Sequence, residues 1–261
     1  MSYLVFDIET IPDVELGKKL LSIDDLSDKD AAKAMTFRHL QDTGSDFLPL
    51  YQHRVVAISV ALRAGNDLKI WSLGDADSDE ADLVRRFYDG LEQFSPDLVS
   101  WNGGGFDLPV LHYRALLHGI AAPRYWETGD EDRSFRYNNY LSRFHWRHID
   151  VMDVLSGFNP RARAGLDVIA VMLGFPGKMG LKGDRVWDFY LDGKLDAIRN
   201  YCETDVLNTY LVFLRFQHMR GMLDDTQLDD ELRRVRELLE AAPEPHLKEF
   251  LAAWEQPEAT G

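Results

Sequence analysis

The apolar positions of this chain change period along its length, and the changes mark out alternating strands and helices. Residues 2 to 10 alternate and end apolar-rich through Tyr3, Leu4, Val5, Phe6 and Ile8, which predicts a buried strand at the start. His53 to Arg63 and Leu68 to Trp71 read as a strand pair turning at Ala64-Gly65-Asn66-Asp67. A helix over roughly residues 80–94 comes next, then a short strand at Leu98-Val99-Ser100-Trp101 and a helix from Asp107 to about His118. The strongest helical stretch runs from about Leu195 to Met219. Beyond it, Leu228, Leu232, Val235 and Leu239 share one helix face before a break at Pro243-Glu244-Pro245. Between the first two strands, Ile11 to Gln52 is an insertion with a helix around residues 30–41, expected to cover the sheet edge rather than act as a lid. Strands alternating with helices in this way predict an α/β fold.

At 261 residues the chain can bury a sizeable core, and it reads as one domain over residues 1–223 with an acidic helical extension over residues 224–261. No signal peptide is recognisable, no run of about 18 apolar residues occurs, and Cys202 is the one cysteine. A cytoplasmic protein without a disulfide framework is the expectation. Cys202 has no His or Asn context that would mark a thiol nucleophile, so it reads as a small helix residue.

Four acidic residues in three short contexts carry the candidate chemistry. Asp7 and Glu9, at i and i+2 of the first strand, project from the same face and would repel unless a cation lay between them. Hard divalent cations such as Mg²⁺ prefer oxygen ligands of this kind. Asp107 closes Asn102-Gly103-Gly104-Gly105-Phe106-Asp107, where three glycines permit a sharp turn and a close approach to a ligand, although a plain tight turn capped by Asp107 fits as well. The absence of Gly-Lys-Ser/Thr disfavours a P-loop NTPase. Tyr201 and Asp205, at i and i+4, stack on one face of the longest helix.

Asp-x-Glu, Asn-x-x-x-Phe-Asp and Tyr-x-x-x-Asp, in this order, resemble the three motifs of the DEDDy 3′-5′ exonucleases, and most closely their PolB-like predicted 3′-5′ exonuclease subgroup. The resemblance extends over Tyr3 to about Tyr210 and includes His148-Ile149-Asp150-Val151-Met152-Asp153-Val154-Leu155-Ser156 and Leu173-Gly174-Phe175-Pro176-Gly177-Lys178. It implies a ribonuclease H-like fold, a mixed sheet flanked by helices with the acidic cluster at its strand ends. It further implies two divalent cations, Mg²⁺ or Mn²⁺: Asp7, Glu9 and Asp205 holding one, Asp7 and Asp107 the other, partly through water. Tyr201 would orient the attacking water rather than act as base, and the product would be a nucleoside 5′-monophosphate. Thr10, Asn102 and Phe106 would shape the substrate side of the site. Asp150 reads equally as an outer contact to the site or as a helix cap. His145 and His148 lie far from Asp205 in sequence, which argues against the sister DEDDh pattern.

A net charge of −15 runs against the basic character expected of a protein that holds nucleic acid, but its distribution relieves the conflict. Residues 133–185 carry nine Lys or Arg against four Asp or Glu. Within them Arg133, Arg136, Arg143 and Arg147 interleave with Phe135, Tyr137, Tyr140, Phe144 and Trp146. The arginines suit phosphates and the rings suit unpaired bases, as in a single strand with a free 3′ end. A hairpin whose aromatics pack inward is the alternative. Lys178, Lys182 and Arg185 form a second candidate phosphate-contact loop among glycines. The function expected is 3′-5′ exonucleolysis of single-stranded DNA. The alternatives are exonucleolysis of short RNA, a binding module without turnover, and an interaction protein using its acidic C-terminal helix.

Overall fold

A computed structural model describes residues 2–180 and 183–256 of the chain. Five strands, β1 (Ser2–Pro12), β2 (His53–Ala64), β3 (Asp67–Ser72), β4 (Asp97–Ser100) and β5 (His148–Asp150), form one sheet in the order β3-β2-β1-β4-β5. β1 pairs antiparallel with β2 and parallel with β4, β2 pairs antiparallel with β3, and β4 pairs parallel with β5. This is the mixed sheet of a ribonuclease H-like α/β fold, with β1 at its centre.

Helices cover both faces. In chain order they are α1 (Val14–Leu21), α2 (Asp28–Thr43), α3 (Glu80–Phe94), α4 (Asp107–His118), α5 (Pro123–Trp126), α6 (Val151–Leu155), α7 (Leu166–Met172), α8 (Val186–Leu191), α9 (Leu195–Met219), α10 (Asp225–Ala241) and α11 (Pro245–Glu255). Leu4, Phe6 and Ile8 of β1 bury into a cluster with Leu83, Phe87 and Leu91 of α3 and Leu108 and Leu111 of α4. The odd residues of β1 face α9, where Val5 joins a core with Leu207 and Leu211 and the Tyr3 ring meets Phe213 edge to face. Asp7 and Glu9 share this second face by the period-2 geometry of the strand. Leu228, Val235, Leu247 and Phe250 of α10 and α11 belong to the same core as Val5, so the acidic extension packs onto the α9 face of the sheet. No helix among the described residues is long and apolar enough to cross a membrane.

Several expectations change in detail. The insertion holds two helices rather than one: α1 packs on α2 through Val14, Ala31, Ala32 and Met35. β5 was not legible as a strand, being three residues long and buried throughout. The C-terminal segment forms two helices, α11 opening at Pro245, where proline's fixed φ suits a first turn.

A buried ion network locks the insertion to the sheet. Arg114 of α4, 5 % exposed, donates to Asp13 Oδ2 at 2.6 Å and to both carboxylate oxygens of Glu80, whose Oε1 also accepts the Val55 amide. Removing one partner of such a group leaves buried charge uncompensated. Arg114→Ala should therefore destabilise the fold by about 3–5 kcal/mol in chemical denaturation. A loss near zero would mean that Asp13 and Glu80 are solvated in the native state.

Candidate active site

Local backbone chemistry brings the acidic residues together. β1 and β2 slip register between Glu9 and Thr10, a bulge that re-aims side chains at the end of the strand. Past β4 the chain turns at Asn102, which adopts the left-handed region at φ 67°, one that asparagine tolerates better than most residues. Gly103, Gly104 and Gly105 do not carry positive φ, contrary to the conformational role expected of them. Space is the reason for two of them: a Cβ on Gly103 would collide with the Ser100 side chain and one on Gly105 with Asn102 Oδ1. Asp150 secures this turn by accepting the Asn102 and Gly104 amides at 3.0 and 2.9 Å while capping α6 through the Asp153 amide at 3.2 Å. It is thus both a helix cap and the anchor of the glycine turn. Asp107 opens α4, and its Oδ1 accepts the Ile8 amide at 3.1 Å, which ties the start of α4 to β1 next to the two acidic positions.

α9 supplies the rest. Tyr201 and Asp205 are both buried on it, one helical turn apart, and act on each other electrostatically. Asp205 Oδ1 is buried and has no hydrogen-bond partner. Ligand atoms of Asp7, Glu9 and Cys202 lie within 4.8 Å of one another. Cys202, expected to be a small helix residue, thus lies beside Asp7 and Glu9, while Asp205 acts on both carboxyls through its charge. Its thiol donates to the Asp7 carbonyl at 3.4 Å and to Asp7 Oδ2 at 3.5 Å.

The carboxyl groups disturb one another strongly. Asp7 is held well above the usual carboxylate range by burial and then by the charges of Asp107, Glu9 and Asp205. Glu9 is raised likewise, by burial, Asp205 and Asp107. Burial lifts Asp205 to about 6 and Asp107 to about 7. Burial, followed by the Asp205 and Glu9 charges, pushes the Tyr201 hydroxyl far up, so it keeps its proton at neutral pH. Crowded acids with one bare buried oxygen fit a hard cation, which would satisfy that oxygen and remove the repulsion.

A cleft of about 610 Å³ opens on this cluster, lined among others by Asp7, Asp205, Trp101, Asn102, Asp167 and Lys178. The Lys178 ammonium lies 5.7 Å from the Tyr201 ring centroid. Its loop is clamped to α9 because Asn208 pairs with both the N–H and the carbonyl of Gly177 at 3.2 and 2.8 Å. Gly177 sits at φ 68° with Asp167 and Val171 where a Cβ would be. Asp167 Oδ1 accepts the Lys178 amide at 2.6 Å. Of the two other cations in this loop, Lys182 lies outside the described residues and Arg185 pairs with Asp188 at 3.0 Å.

The remaining candidates separate. Thr10 Oγ1 bonds His53 Nδ1 at 2.9 Å, and the Phe106 ring stands 5.2 Å from His53 and 5.8 Å from Phe47, giving an aromatic cluster tied to β1 at Thr10. His53 and Phe47 were not foreseen. The arginine-aromatic segment splits between its two readings. Phe135 and Tyr140 are buried, Tyr140 donating to the Pro96 carbonyl at 2.6 Å, whereas Tyr137 and Phe144 are 82 % and 70 % exposed. Arg136 is exposed, while Arg143 is ion-paired to Asp153 at 2.6 Å rather than free.

Sequence reasoning also missed a polar row across the sheet. Ser59 is the register partner of Asp7 and Ser72 of Ser59, so the three share one face on adjacent strands. Ser59 and Ser72 hydroxyls bond at 2.9 Å, Ser72 donates to Glu203 Oε1 at 2.6 Å, and Glu203 Oε2 bonds His246 of α11 at 2.8 Å. The available signal was a serine in each of two apolar strands.

The chain is 22% identical over 148 residues to the DNA polymerase epsilon catalytic subunit of Schizosaccharomyces pombe, covering 54% of this chain and 6% of that protein. It is 23% identical over 152 residues to the DNA polymerase epsilon catalytic subunit of Saccharomyces cerevisiae, with the same shares. The chain thus spans about 6% of the length of these curated relatives. A family model, described as a predicted 3′-5′ exonuclease related to the exonuclease domain of PolB, matches residues 45–254. That span includes Asn102 to Asp107, Tyr201, Asp205 and α10, whereas Asp7 and Glu9 precede it and rest on their placement in β1. The chain belongs to this family of predicted 3′-5′ exonucleases related to the exonuclease domain of PolB.

Proposed function

We propose that the protein removes nucleotides from the 3′ end of single-stranded DNA, releasing nucleoside 5′-monophosphates, with two divalent cations, Mg²⁺ or Mn²⁺, held by Asp7, Glu9, Asp107 and Asp205. The observation that carries this reading is that the buried Asp7 carboxyl feels the charges of Glu9, Asp107 and Asp205, and that Asp7 and Asp205, the latter with a bare buried oxygen, line an open cleft. Bound there, the cations would supply activation of a water and stabilisation of charge on the departing 3′ oxygen.

The chain's own groups do the positioning. Tyr201 keeps its proton, so its hydroxyl serves as a donor that orients the attacking oxygen, not as a base. Asp205 and Tyr201 lie one turn apart on α9, so the helix holds both groups toward the same point. Lys178, on the cleft wall beside Tyr201, offers a positive group to the scissile phosphate. Phe106, backed by His53 and Phe47, presents a ring against which the terminal base can rest, with Thr10 fixing His53 and Asn102 shaping the turn.

Tyr201→Phe keeps the ring and loses only the hydroxyl. It should slow cleavage by about 10²-fold, the scale of one lost donor at a developing charge, while Mn²⁺ affinity measured by calorimetry stays within about 2-fold. Lost metal affinity would show that the hydroxyl supports the cations instead. Matched labelled DNA and RNA oligomers incubated with Mg²⁺ or Mn²⁺ test the substrate. DNA shortened faster than RNA supports the reading, and RNA shortened faster overturns the DNA assignment.

A further inference from the structure

The rim of the cleft carries a built surface that the cutting chemistry does not use. Met152 and Ala164 line the cleft, and their sequence neighbours Asp153 and Arg163 are ion-paired at 2.7 Å. Asp153 also accepts Arg143, so two guanidinium groups share one carboxylate and leave net positive charge at the rim. The Arg143 guanidinium stands 4.8 Å from the Phe158 ring centroid and 6.0 Å from that of Phe144, and the two rings meet edge to face at 4.9 Å. Phe144 remains 70 % exposed while it packs on Phe158, so one face of its ring is open to solvent. Phe158 holds φ at 60°, a left-handed conformation that a bulky side chain adopts only at a cost, and its N–H is tied to the Asp153 carbonyl at 2.8 Å. Stored strain of this sort clusters at functional surfaces. Arg161, two residues from Arg163, is exposed.

We infer that this rim binds the single strand upstream of its terminal nucleotide, Phe144 and Phe158 stacking on bases while Arg143, Arg161 and Arg163 meet successive phosphates. The inference rests on the nuclease reading above, because continuity with that cleft selects the occupant. Charge complementarity supports it: in a chain of net charge −15 the rim lies within residues 133–185, where cations outnumber acids nine to four. Exposed rings beside guanidinium groups that share a single carboxylate make a platform suited to unpaired bases.

The test compares fluorescently labelled oligo(dT) of increasing length with the dinucleotide, using Phe144→Ala and Arg161→Ala singly and together. Both positions are exposed and neither is needed to pair Asp153, so these variants should fold. In the wild type, affinity by anisotropy is expected to rise steeply with length. In the double variant the ratio of long-strand to dinucleotide affinity is expected to fall about 10–100-fold, the scale of one or two lost stacks. The salt slope should fall by about one in Arg161→Ala. An unchanged ratio and slope would overturn the inference. If the wild type cleaves no substrate while the length-dependent ratio still collapses in the variant, the nuclease reading fails and the rim stands as a single-strand site.

Discussion

Asp205→Asn is expected to reduce turnover by at least about 10³-fold, equivalent to about 4 kcal/mol of transition-state stabilisation, while making the cation-free protein more stable. The two effects share one cause. Asp205 is buried, its Oδ1 has no partner, and its charge adds to the repulsion already felt by Glu9 and Asp7. Asparagine keeps the shape, removes that charge, and supplies an amide N–H₂ among carboxylates able to accept it. Since the folded chain lifts the Asp205 carboxyl to about 6, ionising it at neutral pH opposes folding. Neutralising it should gain about 1–3 kcal/mol in denaturation with a chelator present. The same change weakens the set of oxygens that would hold the cations, so activity and stability move in opposite directions. A residue that merely supported the fold would lower both, and that result would remove Asp205 from the site.

Cation-induced stabilisation should grow with pH. Asp205 and Asp107 titrate at about 6 and about 7 in the folded chain, against about 3.9 for an unfolded aspartate. Between these values the folded state binds more protons than the unfolded one, so cation-free stability falls as pH rises through about 4 to 7. Divalent cations take over the task of the lost protons and bind the folded form selectively. At about 100 times the dissociation constant they contribute about 2.7 kcal/mol. For a chain of this size that corresponds to a Tm increase of about 5–10 °C. We therefore expect such an increase with Mn²⁺ at pH 8 and little change at pH 5, by scanning calorimetry with chelator controls. Equal increases at both pH values would show that the cations bind somewhere other than these carboxylates.

Much of the fold was legible because local rules and tertiary packing agree. α3, α4 and α9 run as their periodicity predicts. Asp79 caps the first through the Asp82 amide, and Gly119 ends the second in a left-handed turn. α1 was not legible because its eight residues include Gly17, a poor helix former kept for the Met35 contact. β5 was hidden by its length and by burial on both faces, which erases alternation. The acidic site was legible where its geometry is local: i and i+2 in a strand, i and i+4 in a helix. Its surroundings were not, because they depend on register. That Ser59 faces Asp7 and Ser72 faces Ser59 follows from pairing across three strands, and that Glu203 reaches His246 follows from how α11 docks. Phe135 and Phe144 belong to one arginine-aromatic pattern yet end on opposite sides of the surface, since composition does not say which ring turns inward.

The central claim is that Asp7, Glu9, Asp107 and Asp205 share divalent cations beside the cleft that Asp7 and Asp205 line. Crystals soaked in Mn²⁺ and measured for anomalous scattering test it most directly. The account predicts anomalous peaks within coordination distance of the Asp7 carboxylate, with Asp205 closing onto the same density. Saturating Mn²⁺ that leaves no peak at Asp7, or places its peaks only on the outer acidic surface, would contradict it.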